Sequence, residues 1–278
     1  MSKYSPRGGH ATLPLRDGAI FPVHQDKAIL VTGAAGGVGR ATAELLAAQG
    51  ARLVLIDLDA TALGSLAGTL GAPGHHLAIA MDLASEASVS DGFARAVEGF
   101  GTLHGLVNCA AIVRHSEPLD IPRSDWERQF AVNLFGAYDI ARLTARHMID
   151  RGVRGALVAI ASEAGKKGHV ESLAYSASKA GVISMTRMLS EALAPFDINV
   201  NCICPGGVAT PMLREVAEAY SGYSGEAAPA IFDKMINSQL IRHIEPVEVA
   251  RIASFLLTDD AMLIRGQAIN ADGGETPY

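Results

Sequence analysis

The chain is poor in cysteine, in like-charged blocks and in long apolar runs, and each shortage closes off a class of protein. Its three cysteines, Cys109, Cys202 and Cys204, form neither a disulfide framework nor a metal-ligand set. Each falls at the end of an apolar β-type run, where cysteine behaves as a small apolar residue, so a reducing compartment is expected. His115, His169 and His243 also lack metal spacing, and no metal is expected. The formal charge is −6, whereas phosphate binding needs a concentrated basic face, so nucleic acid is excluded as a partner. Lys166 and Lys167 are the most notable basic pair and read as a solvated loop. The longest apolar runs fall far short of a bilayer span, which argues against a membrane partner. Lys3, Arg7 and Arg16 precede a short apolar stretch, Gly18 to Val23, that Pro22 interrupts, a poor match to a signal or presequence. The expectation is a cytoplasmic protein acting on a small molecule.

What the chain does have is apolar content, 49% against 19% charged over 278 residues, enough for one large α/β domain or two small ones. The first 26 residues carry Pro6, Gly8, Gly9, Pro14, Gly18 and Pro22 without periodicity and read as an irregular extension. From Lys27 a rhythm begins. Apolar runs at 28–32, 52–57, 76–81, 103–108, 156–161, 199–204 and 267–271 alternate with helical patterns at 37–49, 60–70, 85–99, 123–151, 173–195 and 246–258. Such runs, apolar on both faces and separated by helices, predict a doubly wound parallel sheet of about seven strands with helices on both sides. No linker splits the pattern, so 27–278 is expected to be one domain. The interval 210–245 breaks the rhythm, with Ser221, Gly222, Ser224, Gly225 and Pro229 between weak helical segments. It follows a strand at the sheet edge where ligands sit, and it is expected to form a substrate lid or wall.

The first strand runs into VTGAAGGVGRATAELLAAQG. Gly33, Gly37 and Gly39 permit a tight turn and bring backbone close to a pyrophosphate at a helix N-terminus. A glycine cluster alone is a weak signal, but this one follows a strand, opens a helix and sits in a βαβ unit, the context a nucleotide site requires. Asp57 ends the second strand 18 residues past Gly39. A carboxylate there accepts both ribose hydroxyls of an adenosine and repels a 2′-phosphate, and no Arg or Lys accompanies it in LDATAL. NAD is therefore the expected cofactor rather than NADP.

Residues 174–181 read AYSASKAG, with Tyr175 and Lys179 one helical turn apart on one face. In isolation that spacing describes an ordinary solvated helix surface. Together with Thr32, Gly33, Gly37 and Gly39 in T-G-x-x-x-G-x-G, Asp82-Leu83 after the third strand, Asn108 in N-C-A-A, Asn133 in VNLFG and Ser162 13 residues before Tyr175, it forms an ordered set. Pro205-Gly206, Val208, Thr210 and the final GQAINADGG extend the series. Over 27–274 the chain resembles the short-chain dehydrogenase/reductase family, in its single-domain branch. Cys109 and Ala111 depart from the family's N-N-A-G, and neither change removes a reacting group. Ala111 cannot take positive φ cheaply, so the backbone there is expected to differ slightly.

The resemblance implies a Rossmann-type fold and hydride transfer between a nicotinamide and an alcohol carbon. It implies catalytic roles for Asn133, Ser162, Tyr175 and Lys179. It places the cofactor against Thr32, Gly33, Gly37, Val38, Gly39, Asp57, Leu58, Asp82, Leu83, Asn108 and Ala110, and against Tyr175, Lys179, Pro205, Gly206, Val208 and Thr210. A free phenol titrates near 10 and is a poor base, and a neighbouring ammonium is expected to lower that value and make Tyr175 usable as general acid/base. Ser162 would fix the substrate oxygen, and Asn133 would hold a water in a proton relay behind Lys179. The expected activity is NAD-dependent interconversion of a secondary alcohol and its ketone. A polyol, sugar or cyclic alcohol is favoured, because Glu163, Arg114, His115, His169 and Glu171 fall on loops near the pocket and basic residues for NADP are absent. A 3-oxoacyl or steroid-type ketone reductase is the alternative, followed by a non-catalytic nucleotide-sensing relative. The resemblance also implies a homo-oligomer, a tetramer by preference, paired through the helices at 123–151 and 173–195.

Overall fold

The computed structural model describes residues 21–71, 75–237 and 239–276, and its strands lie where the apolar runs predict them. They are β1 (Ala28–Thr32), β2 (Arg52–Asp57), β3 (His76–Ala80), β4 (Gly105–Asn108), β5 (Gly155–Ile160), β6 (Ile198–Pro205) and β7 (Ala268–Ala271). All pair in parallel in the order β3-β2-β1-β4-β5-β6-β7. The strand order reverses between β1 and β4, which opens a crevice beyond their carboxyl ends, the place where such sheets bind ligands. The fold is a Rossmann-type α/β sheet with helices around it.

Helices α1 (Gly37–Ala48), α2 (Ala60–Thr69), α3 (Glu86–Phe100), α4 (Arg123–Phe130), α5 (Ala137–Arg151), α6 (Ala164–Lys167), α7 (Leu173–Leu193), α8 (Pro211–Ser224), α9 (Ala228–Lys234) and α10 (Pro246–Leu256) connect and cover the strands. One face of the sheet packs Ile29, Val31, Leu53 and Leu55 against Leu46 of α1 and Val249 and Leu256 of α10. The other packs Leu30, Val54, Ile56 and Leu106 against Phe93 of α3 and Ile140 and Met148 of α5. Alternate residues of each strand serve opposite faces, so the strand runs must be continuously apolar. Side-chain caps fix several helix starts: Asp59 accepts from the Thr61 and Ala62 amides, Ser85 from the Ser88 amide, and Glu245 and Glu248 form a reciprocal box on α10.

Three expectations need correction. The single helix expected over 123–151 is interrupted by a π-helical segment, Ala131–Gly136, between α4 and α5. Wider turns of this kind recur at functional sites, and at this one the buried Asn133 amide bonds both the backbone N–H and the C=O of Ile112. The breaker expected at 221–225 acts only at its end. Helix α8 runs through Ser221 and Gly222 and stops at Gly225, which takes φ 72°. Lys166 and Lys167 are not a solvated loop. Lys166 reaches across to the Ala268 carbonyl at 2.8 Å and to Asn270, while Lys167 sits 3.1 Å from Glu275, so α6 is tied to the end of the chain beyond β7. Ala111 is not among the residues with positive φ, so replacing glycine there strains nothing.

Of the irregular extension expected over 1–26, residues 1–20 lie outside the described residues. The remainder packs through His24, which is fully buried. Its Nε2 meets Ser254 Oγ at 3.1 Å, and Ser254 donates onward to Gln49 Oε1 at 2.7 Å. Ser254 has given its proton away, so Nε2 carries one and Nδ1 is left bare and buried. Burial, and secondarily the Lys27 charge, lower the His24 pKa to about 4. His104 and His147 are also lowered, first by burial, and each accepts a backbone N–H, from Ala28 and Leu103 respectively. These imidazoles must be neutral in the folded state and take protons more readily once unfolded. Their contribution is therefore complete above about pH 6.5 and is lost as pH falls below it. The thermal midpoint is expected to drop steadily between pH 7 and pH 5, with His24→Gln showing a shallower slope. A midpoint independent of pH across that window would refute this account.

Candidate active site

The site is assembled at the carboxyl ends of β1, β4, β5 and β6. Beyond β1, Gly33 takes φ 64°, and a Cβ there would lie 2.8 Å from the Ala110 amide nitrogen, so only glycine lets the two strand ends approach. Thr32 Oγ1 donates to Asn108 Oδ1 at 2.5 Å and accepts from the Ala110 amide at 3.2 Å, pinning the two turns together. Gly39 presses against the Gly33 carbonyl where no side chain fits. Helix α1 starts after Gly36 with no side-chain cap, so its first amides face the crevice unclaimed, as a bound pyrophosphate requires. At the end of β2 the Asp57 carboxylate accepts from the Leu58 amide at 2.7 Å and the Ala35 amide at 3.1 Å, which orients it beside the glycine turn. Asp82 accepts from the Ala84 amide, with Arg128 at 3.8 Å. This glycine cradle, with free helix amides and a fixed carboxylate, fits a dinucleotide.

At the other end, Ser162 follows β5 and Tyr175 and Lys179 lie on α7. Gly165 of α6 lies so close to the Lys179 backbone that a Cβ would sit 2.7 Å from its carbonyl carbon, and this packing brings Ser162 to the phenol. Lys179 is buried, its Nζ donating to the Ile160 carbonyl at 2.7 Å and standing 5.6 Å from the centre of the Tyr175 ring. The electrostatics reverse the expectation. Burial pushes the Tyr175 phenol up to about 12, with a hydrogen bond from Ser162 opposing and the Glu163 charge adding to the rise. Burial likewise lowers Lys179 to about 8. Desolvation is the leading cause of both shifts and opposes the ionised form of each group. Cys109 is also pushed up by burial, to about 12, so its thiol is unreactive.

These features line one cavity of about 680 Å³. Of the residues expected on the cofactor or in catalysis, Asn108 and Asn133 alone do not reach it. Asn108 acts from behind, through Thr32. Asn133 is buried, its amide committed to Ile112 and to Ser178 Oγ at 3.0 Å, and Ser178 in turn donates to the Tyr175 carbonyl at 2.7 Å. Sequence reasoning missed Asn237. From the interval 210–245 its Oδ1 accepts from the Gly207 amide and its Nδ2 donates to the Gly207 carbonyl, both at 3.1 Å, fixing the loop after Pro205-Gly206. An asparagine in an irregular segment gives no periodic signal. The same interval builds the outer wall. Tyr220 donates to Glu171 at 3.2 Å and packs on His115, while Phe232 lies between Arg214 and His243.

The chain matches the family model described as short chain dehydrogenase over residues 27–221. A ketoacyl reductase of the granaticin polyketide synthase from Streptomyces violaceoruber is 36% identical over 253 residues, covering 90% of this chain and 93% of that protein. An NAD-dependent glycerol dehydrogenase from Listeria innocua is 34% identical, covering 90% and 94%. Among solved structures, a point variant of actinorhodin polyketide ketoreductase with NADPH superposes with a TM-score of 0.86 at 31% identity, covering 91% of this chain and 98% of that one. Family model, relatives and sheet topology agree: the chain belongs to the short-chain dehydrogenase/reductase family and is an oxidoreductase that uses a nicotinamide cofactor.

Proposed function

We propose that the protein is an NAD-dependent dehydrogenase that interconverts a secondary alcohol and its ketone, with a polyol, sugar or cyclic alcohol as substrate. The observation that carries this reading is the pairing of an amide-anchored Asp57 at one end of the cavity with Ser162, Tyr175 and Lys179 at the other. When bound, the nicotinamide supplies or accepts the hydride. The residues manage everything else. Tyr175 gives or takes the proton on the substrate oxygen, Ser162 positions that oxygen, and Lys179 holds the nicotinamide ribose. Asn133 orders the backbone at Ile112 and supports the proton path behind α7. The glycine turn and Asp82, with Leu58, Leu83 and Val38 around them, take the adenosine and pyrophosphate. Pro205, Gly206, Val208 and Thr210 flank the nicotinamide. A second reading, as a ketone reductase, is supported by the similarity to ketoacyl and polyketide ketoreductases.

Two substitutions separate the roles. Tyr175→Phe removes only the titrating oxygen, so turnover is expected to fall by roughly 10²–10⁴-fold with cofactor affinity nearly unchanged. Asp57→Ala is expected to weaken NAD binding and relax discrimination against NADP, because ribose acceptor and repulsive charge vanish together. Cofactor titration followed by steady-state assay reads both. Full turnover in the first variant, or a wild-type preference for NADP, would overturn the assignment.

Residues 210–245 are proposed as a substrate lid, since α8 reaches the cavity wall through Met212 and Tyr220, and α9 through Lys234 with Met235 just beyond it. Closure of such a segment excludes water and completes a site. Amide exchange in α8 and α9 is expected to slow when NAD and substrate bind. Equal protection in both states would make the segment a fixed wall.

A homo-oligomer, tetrameric by resemblance, is proposed from the apolar side chains that α5, α7 and the π segment leave outside. Phe135 is 59% exposed, Tyr138 44% and Met188 60%. Sedimentation as a monomer at micromolar concentration would reject this.

A further inference from the structure

Glu163 stands immediately after Ser162, at the start of α6, and lines the same cavity as Ser162 and Tyr175. Its side chain is only 13% exposed. The backbone amide is fixed to the Pro205 carbonyl at 2.9 Å, so the residue cannot swing away without breaking the link between β5 and β6. The two carboxylate oxygens have different surroundings. Oε1 faces Lys167 Nζ at 3.5 Å and His169 Nε2 at 3.6 Å, and Lys167 is held in turn by Glu275 at 3.1 Å. Oε2 is buried and meets no hydrogen-bond donor among the described residues.

A buried carboxylate oxygen without a donor is costly, because water has been removed and nothing replaces it. Neither Lys167 nor His169 lies at ideal hydrogen-bond distance, so Glu163 is positioned without a tight partner. Family membership does not demand an acid here, since neither hydride transfer nor proton transfer from Tyr175 uses one. A carboxylate one residue from the group that holds the reacting oxygen is well placed to meet whatever the substrate carries next to its reacting carbon. Its carboxylate shares the cavity with the phenol, whose pKa it raises.

We propose that Glu163 is a specificity-determining residue that selects substrates bearing a hydrogen-bond donor, a second hydroxyl, on the carbon adjacent to the reacting one. The proposal rests on the secondary-alcohol reading above and narrows it from alcohols in general to vicinal diols and their hydroxyketones. In the bound state the adjacent hydroxyl donates to the Glu163 carboxylate, one oxygen of which has no donor in the free protein among the described residues. An alcohol without that hydroxyl leaves the carboxylate unpaired, and sites built to bond a substrate hydroxyl discriminate strongly against analogues lacking it.

The test compares butane-2,3-diol with butan-2-ol, and cyclohexane-1,2-diol with cyclohexanol, using full-length wild type, Glu163→Gln and Glu163→Ala with NAD. The ratio of kcat/KM for diol over mono-ol is the readout, because any effect of the Glu163 charge on Tyr175 is common to both alcohols and cancels. Wild type is expected to favour the diols by roughly 10²-fold, with the ratio falling to within about 3-fold of unity in Glu163→Ala and to an intermediate value in Glu163→Gln. NADH fluorescence titration of each variant should give wild-type affinity, showing that the site is assembled. Turnover with a ratio near unity in wild type, or a ratio that Glu163→Ala leaves unchanged, overturns the role of Glu163 while the dehydrogenase reading stands. If wild type binds NADH but oxidises none of the four alcohols and reduces none of the corresponding ketones, the alcohol reading falls and this proposal with it.

Discussion

Burial of Lys179 is the constraint around which the rest of the site is arranged. An ammonium removed from water is strongly penalised, and the chain keeps it inside with one short bond to the Ile160 carbonyl and the face of the Tyr175 ring. That carbonyl is available because β5 ends at Ile160 and the chain turns outward through Ser162 into α6. The glycine at 165 then allows α6 to lie directly on the lysine backbone. Each of these steps removes more water from Tyr175, so the arrangement that positions the phenol also raises its pKa. The same packing orients the two groups and works against their ionised forms. A bound cofactor that brings hydroxyls to Lys179 would relieve the side of this tension that the protein alone leaves standing.

The parallel sheet supplies the geometry within which that constraint can be met. Thr32 and Asn108 are register partners on neighbouring strands, and their side-chain bond locks the ends of β1 and β4 at the point where strand order reverses. Once those ends are fixed, the glycine turn and the Ala110 segment can approach only if Gly33 lacks a side chain. The two ends of the cavity are thereby joined through backbone rather than through mobile side chains, and a rigid framework of this sort holds groups better than loops do. Two histidines at the opposite end of the sheet, His147 buried and His104 partly so, play a corresponding structural part. His104 and His147 accept amides at the amino ends of β1 and at the entry to β4, and they can do so only as neutral rings.

How far the sequence revealed this depends on the kind of signal each residue carries. Strands buried on both faces leave continuous apolar runs, and so all seven were legible to within about two residues. The glycine turn was legible because the need for it is local: a strand, three glycines and a helix in succession. Ser162, Tyr175 and Lys179 were legible by resemblance, as residue types at fixed spacing. The electrostatic direction was not, because spacing along a helix reports proximity and says nothing of burial. The partner of Asn133 was equally hidden, since it bonds backbone groups of Ile112, twenty-one positions away in the chain. Lys166 and Lys167 looked solvated for the same reason. Their partners, Asn270 and Glu275, belong to the last segment of the chain.

Asn237 and Glu163 show what such distant pairing does to specificity. The interval 210–245 has weak local preference, yet Asn237 ties it to the turn after β6 by bonding both the amide and the carbonyl of Gly207. Glu163 is set in a similar way, by the Pro205 carbonyl on one side and by Lys167 and His169 on the other. Both residues therefore attach to the Pro205–Gly207 turn. A substrate that engages Glu163 would pull on the same turn that Asn237 anchors to α9 and its flanks, so recognition of the group beside the reacting carbon and closure of the outer wall would be coupled through three residues of backbone.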